Sequence, residues 1–379
     1  MTLVKKNIDL LNGNILTSLT ELALPIMATS LVQTAYNLTD MAWIGMVGSD
    51  AVAAVGAAAM YTWLSSGVAA LARMGGQVKS AHAYGEGNRR EAVQYGKGAL
   101  QLALVLAAAY GIITNLFAGP LIGFFHLNSS LVVKDAIVYL RIACGLILFA
   151  FIGQTLTGLY TASGNSRTPF VANCIGMGAN IVLDPLLIFG LGPIHGMGVA
   201  GAAVATVTAQ RVGGQIESIS WMTADGFGTA INAFVGQNYG AGNLKRVKKG
   251  YMTASAIMFI WGIFTTCLLI FGAAPIFSLF IHEPEVIPAG ADYLRIIGFS
   301  EMFMCVELMT VGALSGMGKT MEASVITIIL TTARIPLAVI LGGTALGLNG
   351  IWWALTISSI VKGIIFFGYY LHIMKRMKA

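Results

Sequence analysis

The sequence predicts an all-α protein embedded in a membrane, and three observations point to this class. Of the 379 residues, 56% are hydrophobic and only 10% are charged, and the mean hydropathy is +0.78. Soluble domains carry about 25% charged residues, so too few charges are present to cover a water-facing surface. Long stretches without Lys, Arg, Asp or Glu recur along the whole chain. Because these stretches lack the apolar/polar alternation of barrel strands, helices are the expected spanning elements.

About eleven segments are apolar enough to cross a bilayer, since a spanning helix needs about 20 apolar residues. The sixth is too short by about half. In chain order the predicted spans are 22–47, 51–72, 98–121, 136–159, 170–191, 199–210, 212–235, 252–271, 296–316, 325–346 and 350–373.

The basic residues predict which side of the membrane each loop faces. They cluster at both termini and in the loops after the second, fourth and seventh spans, whereas the alternate loops are acidic or nearly neutral. Lys and Arg are retained on the cytoplasmic side. We therefore expect a multi-pass protein of the cell (inner or plasma) membrane with cytoplasmic N- and C-termini. The same loops account for the net charge of +6, so no nucleic-acid partner is expected.

The charge bias also indicates a break in the topology near the middle of the chain. The loop at Pro193 is predicted to lie outside and the loop at Lys245 inside, so an odd number of crossings must separate them. Residues 196–236 have room for only about two spans. A helix missing between Gln210 and Arg211 would restore the parity.

Three short motifs occur twice in the same order, which indicates a parallel internal repeat. Such repeats are typical of alternating-access transporters with a site between two lobes. The first span has no partner in the second half, and this again places the absent helix before residue 212. We predict an N-lobe at 1–210 with six spans, the sixth shortened, and a C-lobe at 211–379 with five, its first helix missing. The motif pairs are 84–88 (YGEGN) with 239–243 (YGAGN), 139–142 with 293–296 (both YLRI), and 163–168 (SGNSRT) with 315–320 (SGMGKT).

Four further segments carry a family resemblance: 36–40 (YNLTD), 180–190 (NIVLDPLLIFG), 196–203 (GMGVAGAA) and 334–336 (RIP). With them the chain resembles the multidrug and toxic compound extrusion (MATE) transporters over nearly its whole length. The resemblance implies twelve helices in two pseudo-symmetric six-helix lobes, of which about eleven are present here. It also implies export of mostly cationic, amphipathic compounds driven by inward movement of H⁺ or Na⁺.

Two acidic residues inside spans are the main candidates for the coupling chemistry. A charge at bilayer depth costs at least about 2.5–3.5 kcal/mol, so such residues usually mark ion or proton pathways. We interpret Asp40 and Asp184 as a proton-coupling pair, with Asn180 one helical turn before Asp184 on the same face. The structural alternative is that each aspartate caps a helix end or pairs with a basic loop residue, as expected for Asp50.

The substrate cavity is expected beside this pair, lined by Gln33, Tyr36, Asn37 and Tyr139. A packing role is an equal alternative for Tyr139. The second half has no carboxylate matching Asp184, so Glu307 is only a possible cation site there, and Na⁺ ranks behind H⁺ as the coupling ion. Arg141, Arg295 and Arg334 are expected near span ends.

The sequence thus predicts a cation-coupled multidrug efflux antiporter that works by alternating access on small cationic drugs or toxins. No enzyme constellation, metal-ligand spacing or cofactor motif is present, so only the coupling ion is required, and a monomer in the lipid bilayer is expected. A flippase for lipid-linked oligosaccharides is one alternative. A truncated membrane protein that transports nothing is the other.

Overall fold

A computed structural model describes residues 8–47, 49–127, 129–191, 194–195, 212–278 and 287–377, and the side chains of 34–49 and 180–219 lie outside this description. The described part is almost entirely helical. Its first half contains seven helices and an antiparallel hairpin of two strands, each two residues long. They are α1 (Ile15–Val47), α2 (Ser49–Gly85), α3 (Arg89–Leu116), α4 (Ala118–Gly123), α5 (Ser130–Gly145), α6 (Ile147–Ala162), α7 (Arg167–Phe189), β1 (Gly190–Leu191) and β2 (Ile194–His195).

The second half repeats the order of the long helices from α2 onwards. α8 corresponds to α2, α9 to α3, and the pair α11 and α12 to the pair α5 and α6. Its helices are α8 (Val212–Gly240), α9 (Leu244–Phe271), α10 (Ala273–Ser278), α11 (Ile287–Gly298), α12 (Glu301–Gly316), α13 (Thr320–Thr332), α14 (Arg334–Gly342) and α15 (Leu348–Arg376).

The membrane-spanning helices agree with the predicted spans in number and order wherever the chain is described. Among the described residues, six helices are long and apolar enough to cross a membrane, and two further spans are bent pairs, α5 with α6 at 45° and α11 with α12 at 54°. α7 and α8 coincide with two more predicted spans. The short sixth span and the proposed gap between 210 and 211 lie outside the described residues. Most helices extend past their predicted ends because polar turns continue beyond the apolar stretch, as α2 does to Gly85.

The first repeated motif has the same local structure in both halves. Gly87 and Gly242 adopt positive φ angles of 76° and 69°, a region that favours glycine. The next residue caps the following helix: the side-chain oxygen of Asn88 accepts a hydrogen bond from the backbone N–H of Glu91, and that of Asn243 accepts one from Arg246.

The third motif repeats with a register that differs from the sequence match. Identity alone set Gly164 against Gly316. In the structure Gly164 (φ 81°) corresponds to Gly318 (φ 79°), because each is the left-handed residue that ends a helix. Ala162, the last residue of α6, therefore corresponds to Gly316, the last residue of α12.

The buried core is divided between the halves, but the start of α1 belongs to the second. Leu19, Leu22 and Ala23 are buried in one cluster with α8, α9, α12 and α15. Smaller clusters in the first half join α2 to α5 and to α3 and α6. The predicted lobe boundary at 210/211 stays a prediction, since it falls outside the described residues.

Candidate functional site

The two halves meet at one end of the bundle. We name it the basic end after the basic residues that lie in or soon after its turns at 86–88, 163–166, 241–243 and 317–319. His82 of α2 bonds from Nε2 to the carbonyl oxygen of Gly316 over 2.7 Å. Gln237 of α8 donates from Nε2 to the carbonyl oxygen of Ala162, also over 2.7 Å. The two bonds are pseudo-equivalent, because the repeat relates His82 to Gln237 and Ala162 to Gly316.

Glycines allow α2 and α8 to touch at this end. A Cβ atom added to Gly85 would overlap the carbonyl oxygen of Gln237, and one added to Gly240 would overlap that of His82. These two contacts are again related by the repeat. Between them the helices approach backbone to backbone, as small residues permit in membranes.

The N-terminal segment 8–14 joins both halves at the same end. The backbone N–H of Ile8 donates to the carbonyl oxygen of Gly164 in the first half. From the second half, Asn238 Nδ2 and Arg246 Nε donate to the carbonyl oxygen of Leu10 over 2.9 and 3.1 Å, and Arg246 Nη2 donates to that of Gly13.

Asp9 fixes the turn in this segment. Its carboxylate accepts hydrogen bonds from the backbone N–H groups of Asn12 and Leu11, each 3.0 Å long. These bonds, that of Asn12 first, lower the pKa of Asp9 below its ordinary value. The segment is therefore ordered by its own turn as well as by the two halves.

A charged cavity of about 240 Å³ lies within the second half. At its wall the ammonium of Lys362 donates to Glu307 Oε1 over 2.7 Å, and the two side chains are only 8% and 5% exposed. Glu307 lies nine residues from the last residue of α12, which places it about 14 Å from the basic end at 1.5 Å per residue. The ion pair therefore lies well inside the bent span formed by α11 and α12.

Arg334 supplies a second cation to the same cavity. Its Nε donates to Ser358 Oγ over 2.9 Å and its Nη2 to Ser359 Oγ over 2.8 Å, and both serines lie on α15. The residue begins α14 after the break that follows α13, so it lies inside a span that runs from Thr320 to Gly342. The expectation that Arg334 lies near a span end is therefore wrong: it lies well inside this span, as it also does within the predicted span 325–346.

Sequence reasoning missed Lys362 altogether. The available signal was a single lysine inside the apolar run 350–373, which by the rule for charges in spans is a candidate functional residue. Glu307 differs from the simple cation site that was expected, because one of its carboxylate oxygens already accepts a hydrogen bond from the ammonium of Lys362. Among the described residues no three His, Cys, Asp or Glu side chains converge on a position that could hold a metal ion.

The residues predicted to couple transport to protons, and two of those predicted to line the substrate cavity, lie on helices that contact each other. α1 carries Tyr36, Asn37 and Asp40, α7 carries Asn180 and Asp184, and the two helices pack together. These five side chains lie outside the described part of the structure, so their roles stay predictions. Gln33 is half-buried.

Tyr139 is fully buried, in a cluster that joins α2, α4 and α5. This position favours the packing alternative for Tyr139, and its predicted cavity role stays a prediction.

A family model decides the relationship that these features suggest. The MatE model matches the chain twice, over residues 25–186 and again over 189–340. The chain belongs to the MatE family. The two consecutive matches also confirm the internal repeat read from the short motifs.

Curated relatives of this MatE chain align along most of its length. The probable multidrug resistance protein NorM of Thermotoga maritima is 25% identical over 410 residues, which cover 88% of this chain and 87% of the relative. The FAD transporter of Shewanella oneidensis is 22% identical over 435 residues, with 95% of each chain covered. Both alignments are longer than the 379 residues of this chain, so each relative carries residues without a counterpart here.

Solved structures of the family share the fold. A MATE crystal structure in complex with MaL6 has a TM-score of 0.88 at 21% identity and covers 98% of this chain and 99% of its own. The outward-facing conformation of a multidrug resistance MATE transporter has a TM-score of 0.86 at the same identity and coverage. The MatE chain is thus a multi-pass helical membrane protein with the two-lobe MATE fold.

Proposed function

We propose that the chain is a multidrug efflux antiporter that exchanges cytoplasmic cationic, amphipathic compounds for protons by alternating access between its two lobes. H⁺ is the proposed coupling ion, ahead of Na⁺. The proposal includes residence in the cell (inner or plasma) membrane, both termini in the cytoplasm, and work as a monomer without a cofactor. The names of the relatives lend no support to an oligosaccharide flippase.

The observation that carries this proposal is the paired closure at the basic end. Two pseudo-equivalent hydrogen bonds, from His82 and from Gln237, join the halves there. Because Lys and Arg mark the cytoplasmic side, this end would be the cytoplasmic one. A transporter closed on that side presents its central site outward, which is the state that releases a drug and accepts a proton.

The coupling step is assigned to Asp40 and Asp184 in the N-lobe, with Asn180 as a hydrogen-bonding neighbour and Gln33, Tyr36, Asn37 and Tyr139 along the cavity. The packing of α1 against α7 supports a shared site. Two carboxylates in a low-dielectric site disfavour double ionisation. A proton and a cationic drug then compete for the same negative charge, so that each lowers the affinity for the other.

The test uses Asp40→Asn and Asp184→Asn in proteoliposomes with an imposed proton gradient. Each variant is expected to lose at least about tenfold of ethidium export, since loss of one charge removes more than about 1.4 kcal/mol of coupling. Asp50→Asn is the matched control, because Asp50 is an exposed aspartate in the first turn of α2. Full export by either test variant would refute the assignment.

The coupling ion is tested separately by imposing H⁺ and Na⁺ gradients one at a time on the wild-type protein. Export driven by the proton gradient alone is the expected result. Export that requires Na⁺ and is lost in Glu307→Gln would favour the C-lobe cation site instead, because hard cations prefer oxygen ligands. Absence of export under both gradients would support the reading as a truncated protein that transports nothing.

A further inference from the structure

We propose that the charged cavity of the second half binds an acidic group, a carboxylate or a phosphate, of a small-molecule substrate, through Lys362 and Arg334. This inference rests on the proposed transport function. It extends that function from cationic compounds to compounds that also carry an acid. The cavity lies among α8, α11, α12, α14 and α15, on helices other than those that carry Asp40 and Asp184.

The charge balance of the cavity favours an anion. Its described lining contains two cationic side chains, Lys362 and Arg334, and one carboxylate, Glu307. A net positive charge at bilayer depth is costly unless a counter-charge is supplied. Since Glu307 neutralises only one of the two cations, an acidic ligand would complete the pairing.

The hydrogen-bonding groups that remain also fit an acid. The ammonium of Lys362 has three N–H donors, and within the described residues only one of them has an acceptor, Glu307 Oε1. Ser359 accepts a hydrogen bond from Arg334, which leaves its own O–H to donate. Glu307 Oε2 is buried and has no partner among the described side chains. Donors thus outnumber acceptors, and the one spare acceptor suits the proton of an acid or a neighbouring N–H of the ligand.

The walls of the cavity suit an amphipathic molecule. Trp221, Met304 and Leu308 are apolar members of the lining, and Trp221 is 41% exposed. Indole and thioether side chains accommodate flat apolar ligands of varied shape. A volume of about 240 Å³ holds an acid group and the ring next to it rather than a whole drug.

Two other roles for the ion pair make different predictions. A Na⁺ site at Glu307 would have to displace the ammonium of Lys362 from 2.7 Å. A purely structural ion pair between α12 and α15 would hold the helices together and would not distinguish ligands by charge. Ligand charge is therefore the quantity to vary.

The experiment measures binding of a carboxyrhodamine and of its methyl ester by fluorescence anisotropy, with the full chain in phosphatidylcholine nanodiscs. Both dyes are cationic at the ring system, and only the first carries a carboxylate. Glu307→Gln is expected to tighten binding of the carboxylate dye severalfold, since it frees the ammonium of Lys362. Binding of the ester is expected to stay within about twofold, since the cavity charges act on the carboxylate.

The effect of removing the Lys362 ammonium is tested in the Glu307→Gln variant, in which the neighbouring carboxylate is already neutral. Lys362→Met alone leaves a buried carboxylate unpaired and is expected to fold poorly. The double variant Glu307→Gln/Lys362→Met is therefore compared with Glu307→Gln. It is expected to bind the carboxylate dye about tenfold more weakly, since a charged hydrogen bond is worth about that factor. Arg334→Gln is expected to act in the same direction. Lys375→Met, an exposed lysine on the same helix, is the control.

The remaining measurements distinguish whether the bound acid group belongs to a small molecule or to a lipid headgroup. Nanodiscs that contain phosphatidylglycerol should leave binding of the carboxylate dye unchanged. Competition by this lipid would overturn the small-molecule assignment in favour of a headgroup site. Equal effects of the variants on both dyes would overturn it in favour of a structural ion pair. Weaker ester binding in Glu307→Gln would mean a cation site. Because binding in nanodiscs needs no gradient, these results are distinguishable from a failure of the proposed transport.

Discussion

His82 and Gln237 occupy equivalent positions of the two repeats, and each forms a 2.7 Å hydrogen bond with the backbone carbonyl of the residue that ends a helix in the opposite half. A backbone carbonyl is present whatever the side chain, so Ala162 and Gly316 can serve equally as acceptors. The closure at the basic end is therefore symmetric in its bonds although its two donors differ chemically.

The close approach of α2 and α8 should depend on Gly85 and Gly240. In Gly85→Ala or Gly240→Ala, the new Cβ would overlap a carbonyl oxygen of the other helix and force the halves apart. Hydrogen–deuterium exchange measured by mass spectrometry should rise at 76–86 and 232–240. Gly75→Ala on α2 is the control, because its added Cβ would meet no atom of another helix within 4 Å. Wild-type protection in both test variants would show that the helices do not meet there.

The hydrogen bond made by His82 should be replaceable by its repeat partner's side chain. His82→Gln is expected to keep the closure and the export rate, since a glutamine at the equivalent position reaches the equivalent carbonyl. His82→Leu leaves the carbonyl of Gly316 without this donor, which costs about 1–3 kcal/mol for a buried group. Exchange at 76–86 and dye export should report the difference. Equal behaviour of the two variants would mean that the contact has no role in closure.

Much of this closure could be predicted from the sequence, but its register could not. The motif at 84–88 and its partner at 239–243 placed two turns at the same end, and the structure confirms the turn at each. At the third motif, the shared Ser-Gly sequence matched Gly164 with Gly316, which is the wrong pair. The backbone needs a left-handed glycine after each helix end, and Gly164 and Gly318 meet that need.

The charged cavity was harder to predict because its lining residues come from helices that are far apart in the chain. Arg334 was expected near a span end, although the predicted span 325–346 has it near its middle, and the structure likewise places it inside a span. The partner of Lys362 is Glu307, which lies 55 positions earlier in the chain. For Asp40 and Asp184, the sequence identifies the helices that carry them. Periodicity does not show whether the two side chains point toward each other when those helices pack.

Arg246 should hold the N-terminal segment against the second half. Its guanidinium donates to the carbonyl oxygens of Leu10 and Gly13, and it lies over the ring of Phe234 at 5.4 Å. In Arg246→Met the segment 8–14 should exchange its amide hydrogens faster, by roughly tenfold if about 1.4 kcal/mol of local stability is lost. Lys249→Met, an exposed lysine on the same helix, is the control and should have no effect. Unchanged exchange in Arg246→Met would show that the turn at Asp9 orders the segment without Arg246.

The stacked pair Tyr251 and Tyr370 offers a test of the second-half core with opposite outcomes for the same chemical change. Their ring centroids lie 3.6 Å apart, and both side chains are almost completely buried. The hydroxyl of Tyr251 shares a 2.9 Å hydrogen bond with Thr310, whereas that of Tyr370 is buried without a partner among the described residues. Tyr251→Phe should therefore lower the stability by about 1 kcal/mol, because Thr310 loses its partner.

Tyr370→Phe should leave the stability unchanged or raise it slightly, because it removes a buried hydroxyl that is not hydrogen-bonded and keeps the stacked ring. In the same detergent, the melting temperature of Tyr251→Phe should lie below the wild-type value. That of Tyr370→Phe should equal the wild-type value or exceed it slightly. A lower melting temperature for Tyr370→Phe than for Tyr251→Phe would contradict this arrangement, since it would require that the hydroxyl of Tyr370, not that of Tyr251, makes the stronger bond.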